Sequence, residues 1–95
     1  MAKSSSYKLR VPDGLAATIR SMHPGLKKKI RDSLETIISD PSSGKVLKDE
    51  LAGLRSFKVG RFRIIYRIKG KEIELVSIGP RSRIYEETFR LLKLG

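Results

Sequence analysis

The chain has 95 residues and no cysteine, a length that suits one compact domain and a composition that excludes disulfides and thiolate metal sites. Its 21 Lys and Arg outnumber 10 Asp and Glu, and the net charge of +11 is typical of a domain that meets a polyanion or an acidic protein. No apolar run approaches the ~20 residues that cross a bilayer, and no basic amphipathic helix with exposed aromatics favours a membrane surface.

The N-terminal segment from Met1 to Ser6 has one lysine and three serines but no apolar core, which excludes a signal peptide. We expect a disordered tail there, followed by a single domain over residues 7–95. The lack of cysteine suits a reducing compartment, and we expect a cytoplasmic protein. Tyr7 to Val11 alternates apolar and basic residues, which predicts a half-buried strand.

Two amphipathic helices are predicted next, joined by a tight turn at His23-Pro24-Gly25. The first helix carries apolar residues at helical spacing, namely Leu15, Ile19 and Met22. The second carries a longer apolar stripe and ends at Asp40-Pro41; the stripe consists of Leu26, Ile30, Leu34, Ile37 and Ile38. These stripes predict a helical hairpin that buries one face.

Beyond a polar connector from Lys45 to Gly53, the apolar period changes to two, which is the period of β-strands. One strand is predicted up to Gly60. In the next strand one face is apolar and consists of Phe62, Ile64, Tyr66 and Ile68. The opposite face is mostly basic and consists of Arg61, Arg63, Ile65 and Arg67.

A two-residue turn at Lys69-Gly70 is predicted to join this strand to a third, from Glu72 to Ile78. That turn places Ile68 opposite Lys71 and Tyr66 opposite Ile73. Apolar partners then meet on one face of the hairpin, and oppositely charged partners meet on the other.

A final helix is predicted from Glu86 to Leu94, with Phe89 and Leu92, and Leu91 beside them, packing inward. The predicted fold is α+β. It has an N-terminal strand, a helical hairpin, an antiparallel meander and a short C-terminal helix.

Six basic residues and no acidic residue lie in the segment from Arg55 to Lys69. Residues two apart on a strand share a face, so Arg61 and Arg63 are expected on the side opposite the apolar core. Such a pattern fits a solvated charged face, and it fits equally a platform for phosphate groups. The loop after the third strand adds two arginines and an aromatic ring that could stack on a base, namely Arg81, Arg83 and Tyr85.

The string L-R-S-F-K-V-G-R-F-R-I-I-Y-R-I, from Leu54 to Ile68, resembles the core of the RelE/ParE superfamily of toxins, as does I-G-P-R-S-R-I-Y, from Ile78 to Tyr85. The resemblance extends over nearly the whole chain, including the helical hairpin that ends at Asp40-Pro41. It favours the RelE-like branch and implies the RelE-like microbial RNase fold.

The resemblance implies a toxin of a type II toxin–antitoxin system that enters the ribosome and cleaves mRNA, thereby inhibiting translation. In this chemistry the ribose 2′-OH attacks the adjacent phosphate and leaves a 2′,3′-cyclic phosphate, and neither a metal nor a cofactor takes part. The implied partners are the ribosome with its mRNA and a cognate antitoxin that wraps the toxin in a hetero-oligomer, whereas the free toxin can be a monomer.

The motifs also imply roles for particular residues of this chain. Arg63 would stabilise the charge of the pentacoordinate phosphate, Arg81 would assist there or at the leaving 5′-oxygen, and Tyr85 would stack on the base. Lys58 would accept or influence the 2′-OH proton. Further RNA contacts are expected from basic residues outside this set, namely Arg55, Arg61, Arg67, Arg83, Lys27 and Lys28; the two lysines are equally typical of a solvated helix face.

One position departs from the RelE pattern, in which the strand before Gly60 carries two basic residues. The second basic position falls on Ser56, and the neighbouring Arg55 should point to the opposite face of the strand. Two alternatives therefore stay open. One is a ParE-like poison of DNA gyrase, and the other is a catalytically inactive relative that binds RNA or an antitoxin.

Overall fold

The computed structural model describes residues 7–94, so the predicted disordered tail from Met1 to Ser6 lies outside the described residues. The helices are α1 (Asp13–Arg20), α2 (Pro24–Ser39) and α3 (Ile84–Leu94). The strands are β1 (Lys8–Arg10), β2 (Lys45–Val46), β3 (Arg55–Val59), β4 (Phe62–Lys69) and β5 (Glu72–Pro80). The predicted α+β class, with its helical hairpin, meander and C-terminal helix, is confirmed.

The five strands form one sheet in the order β1-β5-β4-β3-β2. The strands from β2 to β5 pair antiparallel, as the predicted meander requires. In contrast, β1 pairs parallel with β5, and β2 lies in the segment that the sequence pattern presents as a polar connector. Neither feature was predicted, because pairing between distant segments and a two-residue strand leave no periodic signal in the sequence.

The helical hairpin covers one face of the sheet with the predicted apolar stripes. Three α2 residues, Ile30, Leu34 and Ile37, are buried there against strand residues that include Ile64 and Tyr66. The opposite face carries a smaller cluster, formed by Leu54, Ile65 and Ile84, which joins α3 to the sheet. The sheet therefore has a large core on one side and a small, partly open one on the other.

The inward-facing residues of α3 were predicted wrongly. The helix begins at Ile84, and its buried side chains are Ile84 and Thr88, whereas Phe89, Leu91 and Leu92 are exposed. A threonine can occupy the core-facing position because its hydroxyl is satisfied: Thr88 Oγ1 is 2.6 Å from Ser77 Oγ and donates to the Ile84 carbonyl at 2.7 Å. Hydrophobic spacing alone cannot identify such a buried polar residue.

The predicted β4–β5 register is also wrong by two positions. The turn consists of Gly70 and Lys71, so that Ile68 pairs with Ile73 and Tyr66 with Leu75. Gly70 has φ of +59°, which suits the first central position of the turn rather than the second. Because the shift is even, the side chains of β5 up to Leu75 keep their predicted faces.

A β-bulge follows in β5, where Tyr66 pairs with Leu75 but Ile65 pairs with Ser77. The extra residue, Val76, packs in the cluster with Ile84, and the next residue, Ser77, also bonds to α3. Two consecutive side chains thus face α3, which a regular strand would not allow.

Buried Tyr66 connects the sheet to the segment after α2. Its hydroxyl donates to the Pro41 carbonyl at 2.6 Å and accepts from the Gly44 N–H at 3.0 Å. A Cβ atom at Gly44 would lie 2.5 Å from this hydroxyl, so the glycine permits the close approach. Tyr66 is therefore a structural residue of the core.

We expect Tyr66→Phe to lower the free energy of unfolding by about 1–3 kcal/mol, because the buried Gly44 N–H loses its partner. Burial raises the pKa of Tyr66 above its ordinary value of 10.0. The corresponding stability is present below pH 10 and is lost as the pH rises through the higher folded-state pKa. In urea unfolding, the difference between wild type and variant should therefore narrow above pH 10. Equal stability at pH 7 would contradict the assignment.

Candidate functional site

Two cations lie side by side on the face of the sheet that α3 partly covers. Lys58 of β3 pairs directly with Arg63 of β4. Ser56 and Ile65, each two residues away on its own strand, also pair with each other and lie on the same face as Lys58 and Arg63. Like charges directly opposite each other destabilise a sheet unless an anion offsets them. The pair therefore forms a natural binding position for a phosphate or carboxylate.

Arg63 has an unsatisfied donor. Its side chain is half-buried, and its Nε is buried without a hydrogen-bond partner among the described residues. The residue opposite it on β5 is Gly79, where a Cβ atom would lie 3.0 Å from the Ile84 side chain. The glycine thus lets the first turn of α3 approach the sheet beside Arg63. A buried N–H without a partner is unfavourable, and an anionic ligand would satisfy it.

Arg81 is brought to the same end of the sheet by a backbone contact. Its N–H donates to the Arg61 carbonyl at 2.7 Å, which ties the loop after β5 to the turn between β3 and β4. That turn is tight because Gly60 adopts φ of +60°. Between the two loops lies an open groove of about 460 Å³, which we call the basic groove; it is lined by Lys58, Gly60, Arg61, Pro80, Arg81 and Ser82.

Tyr85 lies next to this arrangement, in the first turn of α3. Its ring is half-buried against the cluster of Leu54, Ile65 and Ile84, and its hydroxyl is 3.1 Å from Ser56 Oγ. Ser56 precedes Lys58 by two residues on the same face of β3. In the sequence, Ser56 stood out only because it departs from the RelE pattern. Its position two residues before Lys58, and therefore on the same face, is the signal that could have placed it near the site.

Not all predicted contact residues meet at the basic groove. Arg61 lines the groove. Arg83 immediately precedes α3, and its Nε lies 3.8 Å from the Glu87 carboxylate. Arg55 instead donates to the carbonyls of Ser42 and Gly44, which keeps its guanidinium away from Lys58.

The other three predicted contacts lie farther away. Arg67 follows Arg63 by four residues, about 13 Å along the strand, and donates to Glu74 at 2.7 Å. Lys27 and Lys28 lie on α2, in the layer on the opposite side of the sheet, and Lys28 pairs with Asp32 at 3.2 Å. The cations that line the basic groove are therefore Lys58, Arg61 and Arg81, and Arg63 lies beside it as the cross-strand partner of Lys58.

The Arg67–Glu74 pair gives a stability effect that is separate from the groove. The hydrogen bond from Arg67 holds the pKa of Glu74 below its ordinary value of 4.5. Its contribution is present above that value and is lost as the pH falls through the lower folded-state pKa. We expect Glu74→Gln to be less stable than wild type at pH 7 and the difference to shrink below pH 4.5. Urea unfolding of both proteins at several pH values measures this; a constant difference would contradict it.

The chemistry available in the groove is that of fixed cations. Across residues 7–94, no group of three or more His, Asp or Glu is arranged to hold a metal ion. None of the helices in that range combines the length and apolar character needed to cross a membrane. Guanidinium and ammonium groups around a phosphate stabilise the negative charge that develops when a nucleophile attacks phosphorus.

One family model matches most of the chain. The family model for the ParE toxin of the type II toxin–antitoxin system parDE matches residues 15–85. No curated protein sequence matches the chain.

Solved structures share the fold at low sequence identity. The RelBE2 toxin–antitoxin complex of Mycobacterium tuberculosis matches with a TM-score of 0.70 and 23% identity, over 79% of this chain and 98% of that chain. The isolated RelE toxin of E. coli matches with a TM-score of 0.65 and 18% identity, over 90% and 98%. The chromosomal ParDE system of P. aeruginosa matches with a TM-score of 0.63 and 19% identity, over 81% and 98%.

Proposed function

We propose that this chain, which belongs to the ParE toxin family of type II toxin–antitoxin systems within the RelE/ParE superfamily, is a toxin that stops translation by cleaving mRNA on the ribosome. The observation that carries the proposal is the cross-strand pair of Lys58 and Arg63 beside the basic groove, in which the buried Nε of Arg63 has no partner among residues 7–94. A ribosomal substrate would set this activity in the cytoplasm.

In the proposed reaction the ribose 2′-oxygen attacks the adjacent phosphorus, and the bond to the 5′-oxygen breaks. The products are a 2′,3′-cyclic phosphate and a 5′-hydroxyl end. Lys58 receives the 2′-OH proton or stabilises the 2′-oxygen as it loses that proton. Arg63 binds the oxygens of the pentacoordinate phosphate, where fixed donors contribute most to the rate. Arg81 acts there or at the departing 5′-oxygen, which acquires a proton on release.

Tyr85 and the ribosome provide alignment. Stacking of a base on the Tyr85 ring and capture of the phosphate by arginines would hold the 2′-oxygen in line with the leaving oxygen. Arg61 and Arg83 flank the reacting phosphate and would contact neighbouring phosphates without reading sequence. Arg55 and Arg67 are less suited to this task, since they bond to carbonyls and to Glu74 respectively.

A second candidate is a poison of DNA gyrase. The matching family model is that of the ParE toxin, and Ser56 occupies a position that is basic in the RelE pattern. Both observations favour this candidate. Against it stands the groove itself, since Lys58, Arg61 and Arg81 gather around a space that suits a phosphate.

A paired assay separates the two candidates. The same preparation is added to mRNA-programmed ribosomes and to a gyrase supercoiling reaction. We expect cut mRNA and unaffected supercoiling. Intact mRNA with inhibited gyrase would establish the second candidate, and binding to ribosomes without cleavage would indicate an inactive relative.

We also propose a cognate antitoxin as partner. The similar structures from M. tuberculosis and P. aeruginosa are described as toxin–antitoxin systems, which supports a partner of this kind. A second groove, of about 400 Å³, lies at the helical hairpin, and it combines apolar and cationic side chains, namely Val11, Ala16, Ile19, Arg20, Lys27 and Arg31. Such a lining suits an acidic amphipathic segment. A segment that continues to Arg61 and Arg63 would compete with RNA.

We expect Arg31→Glu to weaken antitoxin binding about tenfold or more, because it opposes an acidic segment in the second groove. The matched control is Lys29→Glu, which makes the same charge change at an exposed α2 residue that does not line this groove. Calorimetric titration with the antitoxin encoded beside the toxin gives both affinities. Equal losses of affinity in the two variants would contradict the proposal that the antitoxin binds in the second groove.

A further inference from the structure

Ser56 is a buried polar residue in contact with an aromatic ring of the candidate site. It is 2% exposed, and its hydroxyl oxygen is 3.1 Å from that of Tyr85. The ring itself is half-buried, packed on one side against the cluster of Leu54, Ile65 and Ile84. The phenol group therefore points toward the sheet, and the remaining exposed part of the ring faces outward.

We propose that Ser56 is a positioning residue for Tyr85, and that Tyr85 acts through the face of its ring and not through its hydroxyl. The inference rests on the proposed function and deepens it, since it specifies how the base is held. The bond with a buried serine, in which either hydroxyl can be the donor, holds the phenol oxygen at the sheet, whereas the exposed part of the ring is left for the substrate.

The position of Ser56 on β3 fixes the Tyr85 ring relative to the two cations of the site. Ser56 and Lys58 lie two residues apart on one face of β3, so the Ser56 hydroxyl sets the ring of Tyr85 at a fixed place relative to Lys58 and its partner Arg63. A half-buried ring without this bond would retain its packing on one side but would rotate more freely. A base stacked on it would then be less often in line for attack.

The same geometry gives a reason for the small residue at position 56. A lysine there would have no hydroxyl to share with Tyr85, and its side chain would have to extend past the phenol to keep the ammonium group in water. It would also displace the phenol. Position 56 can therefore supply either a second cation or the hydroxyl that holds Tyr85, and this chain has the hydroxyl.

The test compares five variants in single-turnover cleavage of ribosome-bound mRNA. Ser56→Ala and Tyr85→Phe each remove one half of the bond, and each should lower the rate by about 3- to 10-fold, the factor that corresponds to one neutral hydrogen bond. The double variant should be no slower than either single one, because both remove the same contact. Tyr85→Ala, which removes the stacking surface, should lose about 10- to 100-fold. Ser56→Thr keeps the hydroxyl and should retain most of the rate.

A matched control comes from the other hydroxyl bond between the sheet and α3. Ser77 is also a buried serine, and its Oγ lies 2.6 Å from Thr88 Oγ1. Ser77→Ala should therefore loosen α3 without releasing the Tyr85 ring, and its cleavage rate should stay within about 2-fold of wild type. Equal losses in Ser77→Ala and Ser56→Ala would overturn the positioning role. A Tyr85→Phe loss much greater than that of Ser56→Ala would also overturn it, since the hydroxyl would then act on the substrate.

A second measurement keeps this inference separate from the proposed function. The chain has three tyrosines and no tryptophan, so the NMR signals of the Tyr85 ring can be assigned in the free protein. In Ser56→Ala these signals should move toward those of a freely rotating tyrosine, whereas Ser77→Ala should leave them in place. If wild type fails to cleave mRNA, the proposed function fails, and the ring signals still decide the positioning. Unchanged signals in Ser56→Ala would overturn it.

Discussion

Replacing Arg63 with alanine is expected to lower the rate of mRNA cleavage on the ribosome by about 10²–10³-fold, the usual effect of removing one fixed donor from a charged transition state. Arg63 combines the two features that this role requires. It lies opposite Lys58 across the β3–β4 pair, and its buried Nε has no partner within the described part of the chain. Arg81→Ala should have an effect of similar size. Single-turnover cleavage with excess toxin measures the chemical step without product release.

The control for this prediction is Arg90→Ala, which removes the same charge from an exposed α3 residue that pairs with Glu86. It should leave the cleavage rate within about 2-fold of wild type, as expected when one exposed ion pair is lost. Ribosome binding by the Arg63 variant should weaken much less than cleavage, because the remaining cations still contact phosphates. Equal rate losses in the Arg90 and Arg63 variants would mean that net charge, and not the site, determines the activity.

The second large effect concerns the core. Leu34→Ala and Ile64→Ala should each lower the free energy of unfolding by about 2–5 kcal/mol, because each removes buried methyl groups and leaves a cavity. Ile64 is fully buried and Leu34 is 8% exposed, and both belong to the cluster between the helical hairpin and the sheet. Urea unfolding followed by circular dichroism gives the values.

The matched control in the core series is Leu91→Ala. Leu91 is 51% exposed on α3, so removing its side chain should change the free energy of unfolding by less than about 0.5 kcal/mol. A cost below about 0.5 kcal/mol for both buried residues would mean that the core lies elsewhere.

The main elements of the fold could be predicted because their periodicity is strong. The α2 stripe repeats at helical spacing from Leu26 to Ile38, and β4 alternates except at Ile65, which is buried on the α3 side. The buried face of β4 follows from that alternation alone, and Ile64 and Tyr66 lie on the predicted side. Two glycines with positive φ, Gly60 and Gly70, end the strands where turns were expected.

The remaining features depend on contacts that local pattern does not report. The parallel pairing of β1 with β5 joins segments that lie far apart in the sequence, and the bulge at Val76 adds one residue without any change in composition. The inward face of α3 contains Thr88, whose burial depends on a hydroxyl partner in another strand. Hydrophobic spacing does not report that partner, and it therefore favoured Phe89 and Leu92 as the inward-facing residues.

Part of the candidate site could likewise be predicted from the sequence, and part could not. Alternation along β4 predicted that Arg61 and Arg63 lie on the side opposite the apolar core, and the family resemblance drew attention to Lys58, Arg81 and Tyr85. Their catalytic roles remain predictions. The backbone bond from Arg81 to Arg61 and the contact of Tyr85 with Ser56 arise only in three dimensions, because each joins residues at least twenty positions apart in the chain.

The chemistry of the cleaved ends tests the central claim most directly. Wild-type toxin is added to a ribosome programmed with end-labelled mRNA, alongside the same mRNA carrying a single 2′-deoxy residue at the mapped cut. We predict fragments with a 2′,3′-cyclic phosphate and a 5′-hydroxyl, and no cut at the 2′-deoxy position, because the attacking oxygen is missing there. Growth arrest by the wild-type protein with mRNA left intact, or cleavage that persists at the 2′-deoxy residue, would contradict the account.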